Sequence, residues 1–129
     1  MNLLYQELTG SILRTFFNVV KQVGYGFDKS VYINAIAAEL LQNQNDVATN
    51  KTHNIVYHNT VVGQLSIDII VNDAVVIWVD TNYNFIDRQQ EEQAKKYLRH
   101  SKYEVLLLLN FGLEGSYKRV FLGNDFKQV

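Results

Sequence analysis

Two strongly apolar segments, each containing an aspartate, constrain this chain more than any other feature. Residues 65–81 read LSIDIIVNDAVVIWVDT, which predicts two β-strands joined by a tight turn at Asn72-Asp73. The acids within the strands are Asp68 and Asp80. A buried carboxylate costs stability unless it is paired with a cation, hydrogen-bonded or bound to a metal. The hairpin is therefore the first place to look for a functional site.

The spacing of apolar residues around this hairpin predicts an α/β fold. Helical spacing predicts one helix over residues 3–23, a second from a cap at Asp28 or Ser30 to the polar loop at 42–46, and a third from Asp87 to about residue 101. Strand patterns cover residues 53–57, 61–71, 74–80, 104–110 and 117–122. The predicted order is ααβββαββ. The first three strands form an antiparallel meander, the run at 104–110 is the central strand, and the last strand lies at an edge.

Length and charge narrow the class of protein. The 129 residues suit one domain, 1–129, and the formal net charge of −1 disfavours a general nucleic-acid-binding surface. The absence of cysteine excludes disulfides and thiolate metal sites. The sequence contains no apolar run long enough to span a membrane and no signal-peptide pattern, so we expect a cytoplasmic protein without membrane contact.

Several short motifs resemble one known family. Their order along the chain is GYGFDKSVY at 24–32, AIAAEL at 35–40, VG at 62–63, SID at 66–68, QAKKYL at 93–98, LLNFG at 108–112 and YKRV at 117–120. Together they are similar to the small bacterial GxxExxY proteins, a branch of the PD-(D/E)XK nuclease-like superfamily. This resemblance implies a restriction-endonuclease-like fold, in which a mixed sheet of four or five strands is flanked by about three helices.

The resemblance also implies positions for a metal-dependent active site. In this chain those positions are Asn18, Lys29, Asp68, Trp78, Asp80 and Gln93. The family's aspartate and its helical glutamine are retained, whereas its two N-terminal glutamates fall on an asparagine and a lysine. The E-x-K pair of the family falls on Trp78 and Asp80. An indole does not bind Mg²⁺, and an aspartate has the opposite charge to the lysine that it replaces.

The substitutions favour a catalytic site that has lost its function. We expect Asp68 to form an ion pair with Lys29 rather than to bind a metal. The chain is then an inactive nuclease homologue that acts as a binding or regulatory module, through a homodimer or a protein partner, and needs no cofactor.

Two alternatives remain open from the sequence. In the first, Asp68 and Asp80 bind Mg²⁺ and Lys29 supplies the lysine, which gives an active nuclease with a rearranged site. In the second, the chain binds nucleic acid without catalysis. The candidate phosphate contacts are then Lys95, Lys96, Arg99 and Lys102, for which a solvated helix face, paired with Glu91 and Glu92, is the simpler interpretation. The aromatic loop at 82–85 is expected to pack over the sheet edge or to contact a partner.

Overall fold

The computed structural model describes residues 5–82 and 86–127. In chain order the elements are α1 Gln6–Val23, α2 Lys29–Gln42, β1 Val47–Tyr57, β2 Thr60–Val71, β3 Val75–Asp80, α3 Arg88–Arg99, β4 Val105–Asn110, β5 Ser116–Phe121 and a short 3₁₀ helix, Asn124–Phe126. The predicted order ααβββαββ is confirmed. Residues 3 and 4 of the predicted first helix, and residues 83–85 of the predicted aromatic loop, lie outside the described residues.

The five strands form one mixed sheet in the order β1-β2-β3-β4-β5. The first three strands pair antiparallel, β3 and β4 pair parallel, and β4 and β5 pair antiparallel. All six residues of β4 are buried, as expected for a strand that is covered on both faces. The parallel step requires a crossover connection, and α3 supplies it.

Both tight turns of the meander use residues that tolerate a left-handed backbone. The turn between β2 and β3 has φ values of 53° at Asn72 and 49° at Asp73, and the turn between β1 and β2 has 49° at His58 and 58° at Asn59. Two consecutive residues with positive φ are what a type I′ hairpin turn requires, and asparagine and aspartate adopt this region more readily than most residues. The turn at Asn72-Asp73 was predicted from these residue types.

Strand β1 is longer than predicted, because it begins at Val47 rather than near residue 53. Its first half is polar and largely exposed, so it has no apolar alternation for a sequence pattern to detect. Backbone pairing with β2, which runs from Val47↔Val71 to Tyr57↔Thr60, defines it instead. This paired edge strand is held by its neighbour rather than by burial.

The sheet has an apolar core on each face. One core packs α1 and α2 against the sheet, and the other packs α3 against the opposite face. Helical spacing in the sequence predicts a narrow apolar side of α3 made of Ala94, Tyr97 and Leu98, and these three residues are its buried stripe. The polar cleft described below lies where β2 separates from β3, and residues of both α2 and α3 line it.

Helix α2 buries only part of the face that helical spacing in the sequence predicts for it, together with neighbouring residues. The predicted apolar face consists of Val31, Ala35, Ile36, Ala38 and Leu40. Ile36 and Leu40 are buried, whereas Val31 and Ala38 are exposed. The buried surface extends instead to the start of the helix, where Tyr32 stacks on Phe111 with ring centroids 4.4 Å apart.

The turn between β2 and β3 is held to the start of β4 through Asp73. Tyr103 Oη donates to Asp73 Oδ1 at 2.7 Å, and Lys102 Nζ donates to Asp73 Oδ2 at 2.9 Å. These two hydrogen bonds lower the pKa of Asp73 below its usual value. Burial, followed by the hydrogen bond to Asp73, raises the pKa of Tyr103 to about 12.

We expect Asp73 to make the fold more sensitive to acid. Because its pKa is lower in the folded chain, its contribution is complete above the unfolded pKa of about 3.9 and is lost as pH falls through the folded value. The midpoint of urea unfolding should therefore fall less between pH 4 and pH 2 in Asp73→Asn than in the wild type. An equal fall in the two proteins would contradict this role of the carboxylate.

Candidate functional site

A polar cleft of about 270 Å³ lies where β2 diverges from β3, between the start of α2 and the first half of α3. Its lining residues are Lys29, Ser66, Asp68, Trp78, Val79, Asp80, Thr81, Gln90, Gln93 and Leu108. The structure therefore brings together five of the six positions that the sequence singled out. The formal charge of the lining is −1, from two carboxylates and one lysine.

Asp68 occupies the point where β2 leaves β3. The ladder between these strands ends at Ile69↔Ile77, and Asp68 Oδ2 accepts the backbone N–H of Val79 at 2.8 Å. The carboxylate thus replaces a strand partner for an N–H group that would otherwise lack one, and it is tolerated although Asp68 is only 8% exposed.

The other oxygen of Asp68 faces α2. Asp68 Oδ1 lies 3.1 Å from Lys29 Nζ, which confirms the predicted ion pair. The lysine side chain is half exposed, so water screens the pair and its contribution to stability is small, about 0–1 kcal/mol. The hydrogen bond to Val79, rather than the ion pair, is the stronger reason for an aspartate at this position.

Asp80 ends β3, and both of its carboxylate oxygens accept hydrogen bonds. Oδ1 accepts the backbone N–H groups of Thr81 and Asn82 at 2.7 and 3.2 Å. Oδ2 accepts from the side-chain amides of Asn82 and Gln90. Four donors on two oxygens fix the start of the following loop, so this carboxylate has a structural role of its own.

Trp78 forms a wall of the cleft two residues before Asp80. Alternation along β3 places both side chains on the face that carries α3. The indole packs edge-on against Tyr97, with ring centroids 5.5 Å apart and planes at 61°. A large apolar ring therefore occupies the position at which the family resemblance implies a glutamate.

The remaining two positions of the implied site differ in location. Gln93 lies on α3 and lines the cleft, with an exposed side chain. Asn18 lies on α1 and is not among the cleft residues. Its Nδ2 donates to Glu39 Oε2 on α2 at 3.0 Å, so in this chain it joins two helices.

The candidate phosphate-binding side chains differ in their ion pairing. Lys102 is paired with Asp73 at 2.9 Å, beyond the end of α3. Lys95, Lys96 and Arg99 are exposed on α3, and none of them forms an ion pair within the described part of the chain. Glu91 pairs instead with Lys118 of β5 at 3.6 Å, so the ion pairing along the helix that the sequence favoured is replaced by a contact between helix and strand.

Gln90 is a cleft residue that sequence reasoning missed. It forms a capping box with Asp87, because each side chain bonds the other residue's backbone N–H, at 2.9 and 3.0 Å. The spacing Asp-x-x-Gln before a helix is a recognisable sign of this motif. The additional bond from Gln90 to Asp80 follows only from the tertiary fold.

The donor set does not fit a Mg²⁺ ion. Each cleft carboxylate already accepts internal hydrogen bonds, and Asp68 also faces a lysine ammonium group. Residues 5–82 and 86–127 contain no group of three histidine, cysteine, aspartate or glutamate side chains placed to hold a metal. Mg²⁺ sites in proteins use carboxylates whose oxygens are open to the ion.

Comparison with known proteins identifies the superfamily. A family model described as the PD-(D/E)XK nuclease superfamily matches residues 6–120. Searches of curated proteins and of solved structures gave no match. Among the described residues, no helix has both the length and the apolar composition of a membrane span. The arrangement of α1, α2 and α3 around the five-stranded mixed sheet is consistent with the restriction-endonuclease-like fold, and the match covers most of the sequence. The chain belongs to the PD-(D/E)XK nuclease superfamily.

Proposed function

We propose that this protein is a catalytically inactive nuclease homologue that acts as a binding or regulatory module, and that it is a member of the GxxExxY branch of its superfamily with a degenerate active site. The observation that supports the proposal most directly is that both cleft carboxylates are held by contacts within the protein. Asp68 is held by Val79 and Lys29, and Asp80 by four donors of its own loop and of α3. Both acids serve the fold.

The residue beside these acids supports the same conclusion. Trp78 stands where the family's metal-binding glutamate is implied, and its ring packs against Tyr97. The indole offers no ligand to a metal ion, and it packs against the apolar core on the α3 face of the sheet. The exchange therefore favours packing over metal binding.

A rearranged active site is the competing function. The cleft does bring Lys29, Asp68 and Asp80 together, which the second interpretation of the sequence required. Catalysis with these residues needs the ion pair and the loop hydrogen bonds to open when a metal arrives. Binding would then have to offset the loss of at least one hydrogen bond to a charged group, about 1.5–3 kcal/mol.

A cleavage assay distinguishes the two functions. We expect no cleavage of single-stranded DNA, double-stranded DNA or RNA in 10 mM Mg²⁺ or Mn²⁺, at protein concentrations far above the substrate concentration. Calorimetric titration with either ion should show no saturable heat.

Matched variants protect this assay from contaminating nucleases. Asp68→Asn and Asp80→Asn, purified in parallel, give the background level. Cleavage by the wild type that disappears in both variants would overturn the proposal and establish the rearranged site. Cleavage that persists in both variants comes from a contaminating nuclease and defines the background. We expect the wild type to show no cleavage above this background.

A further inference from the structure

A second, apolar groove lies beside the cleft, between the β1–β2 hairpin and α3. Its volume is about 360 Å³. Ile55 and Leu65 of the hairpin, Trp78 of β3 and Tyr97 of α3 form its apolar walls, and Gln93 and Lys96 lie along the helix side. The groove shares Trp78 and Gln93 with the cleft but contains neither of the cleft carboxylates.

The charge of the groove is one-sided. No aspartate or glutamate is among its lining residues, whereas Lys96 contributes an exposed ammonium group that has no ion-pair partner within the described residues. His100 adds a second nitrogen-bearing side chain at the end of α3. The groove therefore complements a ligand that carries a negative charge.

Two walls of the groove contain polar atoms without partners. Trp78 Nε1 and Tyr97 Oη are buried and form no hydrogen bond within the described part of the molecule. Burial also raises the pKa of Tyr97, which keeps its hydroxyl protonated and able to donate. Because both atoms are enclosed by protein, neither is available to a ligand in the groove, which would contact the carbon atoms of the two rings instead.

Contacts between the hairpin and the helix fix one end of the groove. The imidazole Nε2 of His53 contacts the carbonyl oxygen of His100, and its ring lies 6.3 Å from that of Tyr97. These contacts hold β1 against the last turn of α3. The groove is thus built into the fold rather than formed by an unsupported hairpin.

We propose that this groove binds a small molecule with a flat apolar body and one anionic group, such as an aryl carboxylate or sulfonate. The volume lies within the range of about 300–1,000 Å³ that is usual for small-molecule sites. The apolar walls would contact the body, and Lys96 would pair with the anion. The proposal goes beyond the function proposed for the cleft and does not depend on it.

Fluorescence of the single tryptophan offers a direct test, because Trp78 lies in the groove wall. The probe is 8-anilinonaphthalene-1-sulfonate, and N-phenyl-1-naphthylamine is the same ring system without the sulfonate. We expect the sulfonate to bind with one-to-one stoichiometry and with energy transfer from Trp78. The uncharged analogue should bind at least about fivefold more weakly, since it lacks the charge-assisted contact.

Neighbouring lysines provide a matched pair of variants. Lys96→Gln should weaken binding of the sulfonate about fivefold or more and leave the uncharged analogue unchanged. Lys95→Gln should change neither affinity, because Lys95 is exposed on the same helix but is not a groove residue. Leu65→Gln should weaken both probes.

Three results would overturn the proposal. The first is absence of saturable binding up to millimolar probe. The second is an equal effect of Lys95→Gln and Lys96→Gln, which would indicate nonspecific attraction to the helix. The third is a dimer in light scattering that Leu65→Gln dissociates, because the occupant of the groove would then be a second copy of the chain. Circular dichroism of each variant shows whether it is folded. If Leu65→Gln does not fold, the variants at the exposed positions Lys95 and Lys96 still decide the test.

Discussion

Replacement of Phe111 by alanine is expected to lower the free energy of unfolding by about 3–5 kcal/mol, the usual cost of removing a buried aromatic side chain. Phe111 follows β4 and is only 2% exposed. Its ring stacks on Tyr32 of α2 at 4.4 Å and contacts Phe16 of α1 edge-on at 4.9 Å. One buried side chain therefore contacts both N-terminal helices.

The same contact reaches the candidate cleft. The hydroxyl of Tyr32 donates to the carbonyl of Gly24 at 2.8 Å and accepts the backbone N–H of Phe27 at 3.2 Å, so it ties down the turn that precedes α2. Lys29 is the first residue of that helix. Phe111→Ala should thus loosen the turn that positions Lys29 as well as destabilise the core.

Urea unfolding followed by circular dichroism measures this effect. Phe126→Ala is a suitable control, because Phe126 is 71% exposed and its replacement should change stability by no more than about 0.5 kcal/mol. A loss of less than about 1 kcal/mol in Phe111→Ala would show that the aromatic contacts do not hold the helices in place.

Replacement of Asp68 by alanine is expected to destabilise the protein by about 2–4 kcal/mol in the absence of any metal. The change leaves the backbone N–H of Val79 buried without an acceptor and removes the partner of Lys29. It also removes the link between β2 and β3 at the point where their ladder ends. A carboxylate whose role is to bind metal behaves in the opposite way, since its removal relieves repulsion between acids in the empty site.

Lys29→Met separates the two contacts of Asp68. This variant breaks the ion pair but leaves the hydrogen bond to Val79, so it should cost only about 0–1 kcal/mol. If it cost as much as Asp68→Ala, the ion pair rather than the backbone hydrogen bond would be the reason for the buried acid.

The fold follows from local sequence patterns where apolar residues define the elements. The buried run of β4, the turn at Asn72-Asp73 and the narrow stripe of α3 were all predicted, because burial and turn chemistry leave clear signals. The first half of β1 left none, since it is polar and exposed and is held by pairing with β2. The burial of Tyr32 at the start of α2 involves a contact with Phe111, a residue far along the chain, which local spacing does not reveal.

The site could also be predicted only in part, because some of its contacts depend on the tertiary fold rather than on local sequence patterns. The ion pair between Lys29 and Asp68 was expected, because a buried acid requires a partner and the family resemblance places the two residues in one pocket. The bond from Asp68 to Val79 was not, because it depends on where β2 and β3 separate. The apolar groove joins hairpin, strand and helix residues that no sequence spacing connects.

The free energy of unfolding of the wild type and of Asp68→Ala, each measured in EDTA and in 10 mM Mn²⁺, tests the central claim that the cleft carboxylates are structural. We expect the wild type to gain no stability from Mn²⁺ and Asp68→Ala to be less stable by the same amount in both conditions. The claim would be contradicted if Mn²⁺ stabilised the wild type but not Asp68→Ala. The expected gain is about 2.7 kcal/mol for an ion present at one hundred times its dissociation constant.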